Sequence, residues 1–154
     1  FVMIIIVTGT PATGKTKVAK EIAKRLKFKY IDVNSIIKKN KLAEGYDNKL
    51  KSKIVDVNKL KKILMKVKGN AVIDSHLSHY LPKKFVDLCI VTKCDLKVLK
   101  KRLETRGYNK EKIRENLNAE IFDVCLIEAS ERKHKIMIID TSKKVDFRNI
   151  IKKI

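Results

Sequence analysis

The chain has 154 residues, 44% hydrophobic and 35% charged, with a net charge of +20. These values describe one soluble globular domain able to bury roughly 68–70% of its unfolded surface. They predict no transmembrane helix, because no apolar run approaches the roughly 18 residues a spanning helix needs.

The opening run Val2 to Val7 has no basic flank before it and no small-residue cleavage site after it, so it predicts a buried strand and not a signal peptide. Met3 to Thr8 is that strand, and a Gly-rich turn follows. Val18, Ala19, Ile22, Ala23 and Leu26 mark one face of a helix. Phe28 to Val33 predicts a second strand and Ser35 to Lys39 a short helix. Residues 40 to 56 are polar and weakly periodic. Val57, Leu60, Ile63, Leu64 and Val67 predict a helix stopped by Gly69. Ala71 to Asp74 and Val86 to Thr92 are further strands. Asp95 caps a helix carrying Leu96, Leu99 and Leu103, with Gly107 after it. One helix is predicted over 110 to 130, a strand over Lys135 to Asp140 and a closing helix over Val145 to Ile154. Apolar strands alternating with amphipathic helices predict an α/β fold: an open, doubly wound parallel sheet with its ligand at the strands' carboxyl ends.

Cys89, Cys94 and Cys125 form no C-x-x-C pair, which speaks against a disulfide framework or a zinc site and for a reducing cytoplasm. The positive charge leaves two readings open. One is an RNA or ribosomal partner drawn by phosphate attraction. The other is a general lysine background, since lysine supplies 31 of the 37 basic residues.

Gly9-Thr10-Pro11-Ala12-Thr13-Gly14-Lys15-Thr16 matches G-x-x-x-x-G-K-[ST], with a strand before it and a helix after it. Such a loop turns its amides toward phosphate oxygens at the positive end of the helix. Lys15 then reaches the β- and γ-phosphates of ATP, and the Thr16 hydroxyl ligates Mg²⁺. Ala71-Val72-Ile73-Asp74, an apolar strand ending in a carboxylate, has the form of a Walker B element holding the metal, although a strand-end Asp is also a common turn former. His76 leaves that strand beside the expected γ-phosphate. His79 and His76 lack the supporting ligands of a metal site, and a structural or surface role is the default for each. Among the six arginines, Arg102, Arg106 and Arg114 cluster around Arg106-Gly107-Tyr108-Asn109. A mobile arginine there can stabilise a phosphoryl-transfer transition state, and a solvated helix face is the plainer account, more so for Arg114 than for Arg106.

Taken together, Gly-Thr-Pro-x-x-Gly-Lys-Thr, Tyr30-Ile31-Asp32-Val33-Asn34, Glu44-Gly45-Tyr46-Asp47, Asp74-Ser75-His76-Leu77-Ser78-His79-Tyr80-Leu81-Pro82, Arg106-Gly107-Tyr108 and Ala119-Glu120-Ile121-Phe122-Asp123 resemble the adenylate kinase isoenzyme 6 family over nearly the whole chain. The resemblance implies a P-loop NTPase fold of nucleoside monophosphate kinase type, with strand order 2-3-1-4-5. It implies one domain over residues 1–154, with an NMP-binding insertion near 32–56 and a short lid near 105–115. It also implies Mg²⁺-dependent adenylate kinase activity on ATP and AMP, ATP hydrolysis, and a role in small-subunit ribosome assembly with a ribosomal protein or pre-rRNA as partner. Ala12, Gly14, Lys15, Thr16 and Lys17 fall on the ATP-phosphate loop (the motif opens at Gly9), Arg106 on the lid arginine, and Asp74 and His76 on the Asp-x-His Walker B.

Two departures bear on that reading. Thr16-Lys17 stands where common adenylate kinases carry Gly-Thr. Residues 32–56 hold no arginine to clamp AMP, leaving Lys38, Lys39, Lys41, Lys49, Lys51 and Lys53 as point charges. An ATP-driven assembly switch with little kinase role, and a small-molecule kinase of shikimate or gluconate type, stand as alternatives.

Overall fold

The computed structural model describes residues 1–49 and 52–154, Ser52 and Lys53 by their backbone. Along the chain the elements are β1 (Ile4–Thr8), α1 (Lys15–Leu26), β2 (Lys29–Asp32), α2 (Val33–Lys39), β3 (Ala43–Asp47), β4 (Ser52–Val55), α3 (Val57–Leu64), β5 (Ala71–Asp74), β6 (Leu88–Lys93), α4 (Leu96–Thr105), α5 (Lys110–Ile121), α6 (Val124–Glu131), β7 (Ile136–Asp140) and α7 (Phe147–Lys153), with a 3-10 turn at Ser78–Tyr80.

Five strands form one parallel sheet in the order β2-β5-β1-β6-β7. Leaving aside the separate β3–β4 pair, this is the expected 2-3-1-4-5. β1 lies at the centre with all five side chains buried, as its unbroken apolar run requires of a strand covered on both faces. One face packs on α1 and α7, through Val18, Ile22 and Phe147 among others; the opposite face packs on α2, α3 and α6, through Ile37, Leu60 and Ala129. A third, smaller cluster sets Leu99, Leu103 and Leu117 of α4 and α5 against Ala12, so the two helices sit over the loop that leaves β1. Register brings Asp32 and Val7 level with Asp74, and Lys93 level with Asp140, which collects polar strand ends along one edge.

The structure differs from the sequence reading in two places. Residues 43–47 and 52–55 form an antiparallel hairpin with a register shift between Ala43 and Gly45. Ala43 to Tyr46 are all exposed, so no alternation between core and solvent marked the strand. The helix expected over 110–130 is two helices, broken at Phe122–Asp123. Asp123 takes a left-handed φ of 51° and forms an ion pair with Lys93, which ends α5 and redirects α6. Elsewhere element ends shift by one to three residues.

The tightest place in the fold is the exit from β1. A Cβ on Gly9 would lie 2.3 Å from Thr92 Oγ1 and 2.8 Å from the Thr92 carbonyl oxygen, and Gly9 has a φ of +149°. The second contact is with strand backbone, which cannot swing aside. Gly9→Ala should therefore destabilise the protein by about 3 kcal/mol, lowering Tm by roughly 6–12 °C in a thermal melt. A melting curve like that of the parent protein would show that the β1 exit relaxes freely.

Candidate active site

In the loop from Gly9 to Gly14, four carbonyls are occupied by protein donors, and the Thr13 amide donates to the Thr10 carbonyl within the loop. The Thr10 carbonyl accepts from Thr13 Oγ1 at 2.6 Å and from Lys15 Nζ at 3.2 Å. The Ala12 carbonyl accepts from Arg102 Nη1 at 3.3 Å, the Thr13 carbonyl from Thr141 Oγ1 at 2.6 Å, and the Gly14 carbonyl from the Val18 amide. Ala12 and Gly14 both hold left-handed φ values, 70° and 86°. No side chain caps the start of α1, so its first amides remain open for an anion, at the end where the helix dipole favours one.

Two large cavities meet at this loop. One, of about 1300 Å³, runs from Thr16 and Asp74 past His76 to Tyr46 of the hairpin and Lys112 of α5. The other, of about 1230 Å³, lies between α4 and the segment from Thr141 to Phe147. Ala12, Gly14, Lys17 and Arg106 border both. A group bound on the loop is thus reached from two sides, which is the layout that transfer between two ligands requires.

The structure brings most of the expected residues together. Thr16 Oγ1 donates to Asp74 Oδ2 at 2.8 Å, so the hydroxyl of the loop and the carboxylate of β5 converge. Oxygen donors of this kind, one carboxylate and one hydroxyl, suit Mg²⁺, which takes its remaining ligands from water and phosphate; among the described residues no cluster of three His, Cys, Asp or Glu offers an all-protein cage. Lys15 and His76 border the solvent of the cleft, yet the protein packed around them strips hydration from both. Desolvation lowers Lys15 to about 8, against an opposing pull from Asp74. Desolvation, then the positive charge of Lys15, lowers His76 to about 4, so His76 is neutral at neutral pH. Arg106 ends α4 exposed, its guanidinium Nη1 3.5 Å from the Tyr108 hydroxyl. Gly9 borders neither cavity; its part is the close approach to Thr92.

His79 also borders the cleft, but its ring is engaged with Thr8. It is buried, with Nδ1 2.7 Å from Thr8 Oγ1 and Nε2 3.5 Å from Glu128 Oε2, while the Tyr80 hydroxyl bonds the same Glu128 oxygen. Burial lowers its pKa, and the ring bonds the 3-10 turn to the end of β1 through Thr8. Of the lysines in 32–56, Lys38, Lys39, Lys41 and Lys49 do not border the cleft; Lys51 lies outside the described residues, and the side chain of Lys53 likewise. The cations that do border it beyond the loop are Lys20, Arg106 and Lys112.

Two supporting residues escaped the sequence reading, and a third, Arg102, is marked there only as one of three clustered arginines. Arg102 clamps the loop to Thr141, donating also to the Thr141 carbonyl at 2.8 Å. Glu120, buried at 5% exposure, accepts from Thr10 Oγ1 at 3.0 Å and from the Cys94 amide at 2.8 Å, and pairs with Lys93. Tyr30 donates to Asp74 Oδ2 at 2.7 Å. Each makes at least one bond across more than forty positions of sequence, where no local pattern could announce it. Only the scarcity of arginine pointed toward Arg102.

Sheet order, phosphate loop and flanking cavities define the class: a P-loop protein of the kinase type. Shikimate kinase from Acinetobacter baumannii superposes with a TM-score of 0.66 over 99% of this chain and 90% of its own, at 12% identity. The YorR protein of Bacillus subtilis, solved with phosphorylated GDP, gives 0.65 over 98% and 92%, at 19% identity. A sequence profile described as an AAA domain matches residues 5–123. A Methanocaldococcus jannaschii protein named "Putative adenylate kinase" is 39% identical over 99% of this chain and 84% of its own. The adenylate kinase isoenzyme 6 homolog of Dictyostelium discoideum is 38% identical over 88% and 79%. The chain belongs to the adenylate kinase isoenzyme 6 family. No helix among the described residues is long and apolar enough to cross a membrane.

The lowered pKa of Lys15 has a kinetic consequence. The parameter kcat/KM for ATP reports the free enzyme, so it should fall as pH rises through about 8, where Lys15 loses its proton, rather than near 10.5. His76, already neutral above about 4, should add no acid limb between pH 6 and 8. A pH–rate profile flat to pH 10 would contradict the desolvation of Lys15.

Proposed function

We propose that the protein is a Mg²⁺-dependent adenylate kinase, ATP + AMP ⇌ 2 ADP, with a slower ATP hydrolysis. The observation that carries the reading is the meeting of two cavities at Ala12, Gly14, Lys17 and Arg106, beside the Thr16–Asp74 hydrogen bond. ATP would lie with its base in the cavity between α4 and Thr141–Phe147 and its phosphates on the loop. AMP would enter the cleft beside His76, with the hairpin as the NMP-binding insertion and the segment 105–115 as the lid. Names of relatives support the substrate pair.

In this reading a phosphate oxygen of AMP attacks the γ-phosphorus, the bond to the β,γ-bridging oxygen breaks, and two ADP result. The protein orients the groups and neutralises charge; it forms no covalent intermediate. Lys15 faces the β- and γ-phosphates, and Arg106 closes over the loop as charge develops. Thr16 and Asp74 would hold Mg²⁺, which neutralises phosphate charge when bound. Lys112 and Lys20 supply positive charge in the cleft in place of the missing arginine. Neutral His76 can orient a water by hydrogen bonding, which hydrolysis needs and AMP transfer does not.

The +20 charge favours a second setting for the same cycle. Bound to a small-subunit ribosomal protein or pre-rRNA in the cytoplasm, the protein would use ATP turnover to switch between holding and releasing its partner during small-subunit maturation.

ADP formed with AMP present, set against phosphate released without it, separates the kinase from a pure ATPase. Lys15→Ala should leave less than about a tenth of either rate, since contacts of this type are worth several kcal/mol in the transition state. His76→Ala should lower phosphate release more than AMP phosphorylation. Equal losses in both rates, with a lower Tm, would instead make His76 a brace for the end of β5.

A further inference from the structure

The Asp74 carboxylate is the last side chain of β5, and a carboxylate at a strand end turns broadly about its terminal torsion. Something must decide which oxygen faces the cleft. Thr16 Oγ1 reaches Oδ2 at 2.8 Å, from the exposed first turn of α1. The Tyr30 hydroxyl reaches the same Oδ2 at 2.7 Å, from β2. The two donors come from different elements on the side of the sheet covered by α1, and together they fix the oxygen from two directions. Among the described residues no hydrogen-bond donor is found on Oδ1, while Asp74 borders the cleft. The Tyr30 ring packs in the cluster under α1, with the Lys20 ammonium 5.5 Å from its centroid, so its hydroxyl cannot wander.

We propose that Tyr30 is a positioning residue for the metal-side carboxylate: it pins Asp74 Oδ2 and thereby presents Oδ1 to the divalent cation of the ATP complex. The inference rests on the reading of Thr16 and Asp74 as the protein's cation-holding oxygens. Thr16 can donate its hydrogen to Oδ2 and turn an oxygen lone pair to the cation at once, but a single donor holds the carboxylate from one side only. Tyr30 lies on β2, away from the loop, and its hydroxyl has the Asp74 carboxylate as its partner. Outer hydrogen bonds of this type hold a ligand in the orientation the metal needs.

Tyr30→Phe keeps the ring and its packing and removes the hydroxyl alone. Mn²⁺ titrated into the full-length enzyme bound to a non-hydrolysable ATP analogue, and followed by electron paramagnetic resonance, reads cation affinity without turnover. The expected result is a loss of about tenfold in Mn²⁺ affinity for Tyr30→Phe. Binding of the analogue in chelator, without metal, should stay within about twofold, since phosphate and base contacts are untouched. In an Asp74→Asn background, adding Tyr30→Phe should lower Mn²⁺ affinity no further, because the residue acts through Asp74. Unchanged Mn²⁺ affinity, an equal loss of metal-free analogue binding, or an additive loss in the Asp74→Asn background would each overturn the proposal. A parent complex that takes up no Mn²⁺ at all would overturn the assignment of Thr16 and Asp74 instead.

Discussion

The site depends on how the phosphate loop is held from the rear. A loop of six residues can offer a row of amides to an anion only if its carbonyls are satisfied elsewhere, because an unpaired carbonyl turned into the same cradle would repel phosphate. Here the carbonyls of Thr10, Ala12, Thr13 and Gly14 each accept from a protein donor. The donors are spread over the chain: Thr13 and Lys15 within the loop region, Arg102 on α4, Thr141 after β7. The amides are therefore set before any ligand arrives, which spares the cost of reorganising them during phosphoryl transfer.

The same contacts explain the division of the surface into two cavities. Arg102 ties the loop to Thr141, and this tie forms the floor between α4 and the start of α7. On the other side, Glu120 ties Thr10 to α5 and to the end of β6, and α5 forms a wall of the cleft. A buried carboxylate is costly unless fully bonded, and Glu120 is met by a hydroxyl, an amide and an ammonium. The hairpin stands apart from the sheet, its turn joined to the start of α5 by the bond from Asn109 Nδ2 to the Lys49 carbonyl at 3.1 Å. Along its first strand Ala43 to Tyr46 are exposed, so little of that strand is buried in the core.

Charge in the cleft is arranged for an anionic guest. Lys15, Arg106 and Lys112 face a space where Asp74 is committed to two hydroxyls, and desolvation already weakens the hold of Lys15 on its proton. A polyphosphate restores what burial removes, so its binding and the charged state of Lys15 reinforce each other. His76 is kept neutral by lost hydration in the cleft and by the same ammonium, and it can accept or donate a hydrogen bond there without adding a charge.

The amino-acid sequence by itself determined the class of fold and the nucleotide loop. Those features are local: apolar runs of strand length, helical spacing, and a glycine–lysine motif whose torsions and charge act within eight residues. It also marked Asp74 and His76, because a strand end has a fixed address in a parallel sheet. Only the tertiary structure decided which distant groups serve those residues. Tyr30, Arg102, Glu120 and Thr141 reach the site through strand register and helix packing, and a tyrosine or glutamate at such a position looks like any other in the sequence. The hairpin and the break at Asp123 were hidden for a related reason. Exposed strands carry no alternation of burial, and a left-handed aspartate is held in place by Lys93, thirty positions away.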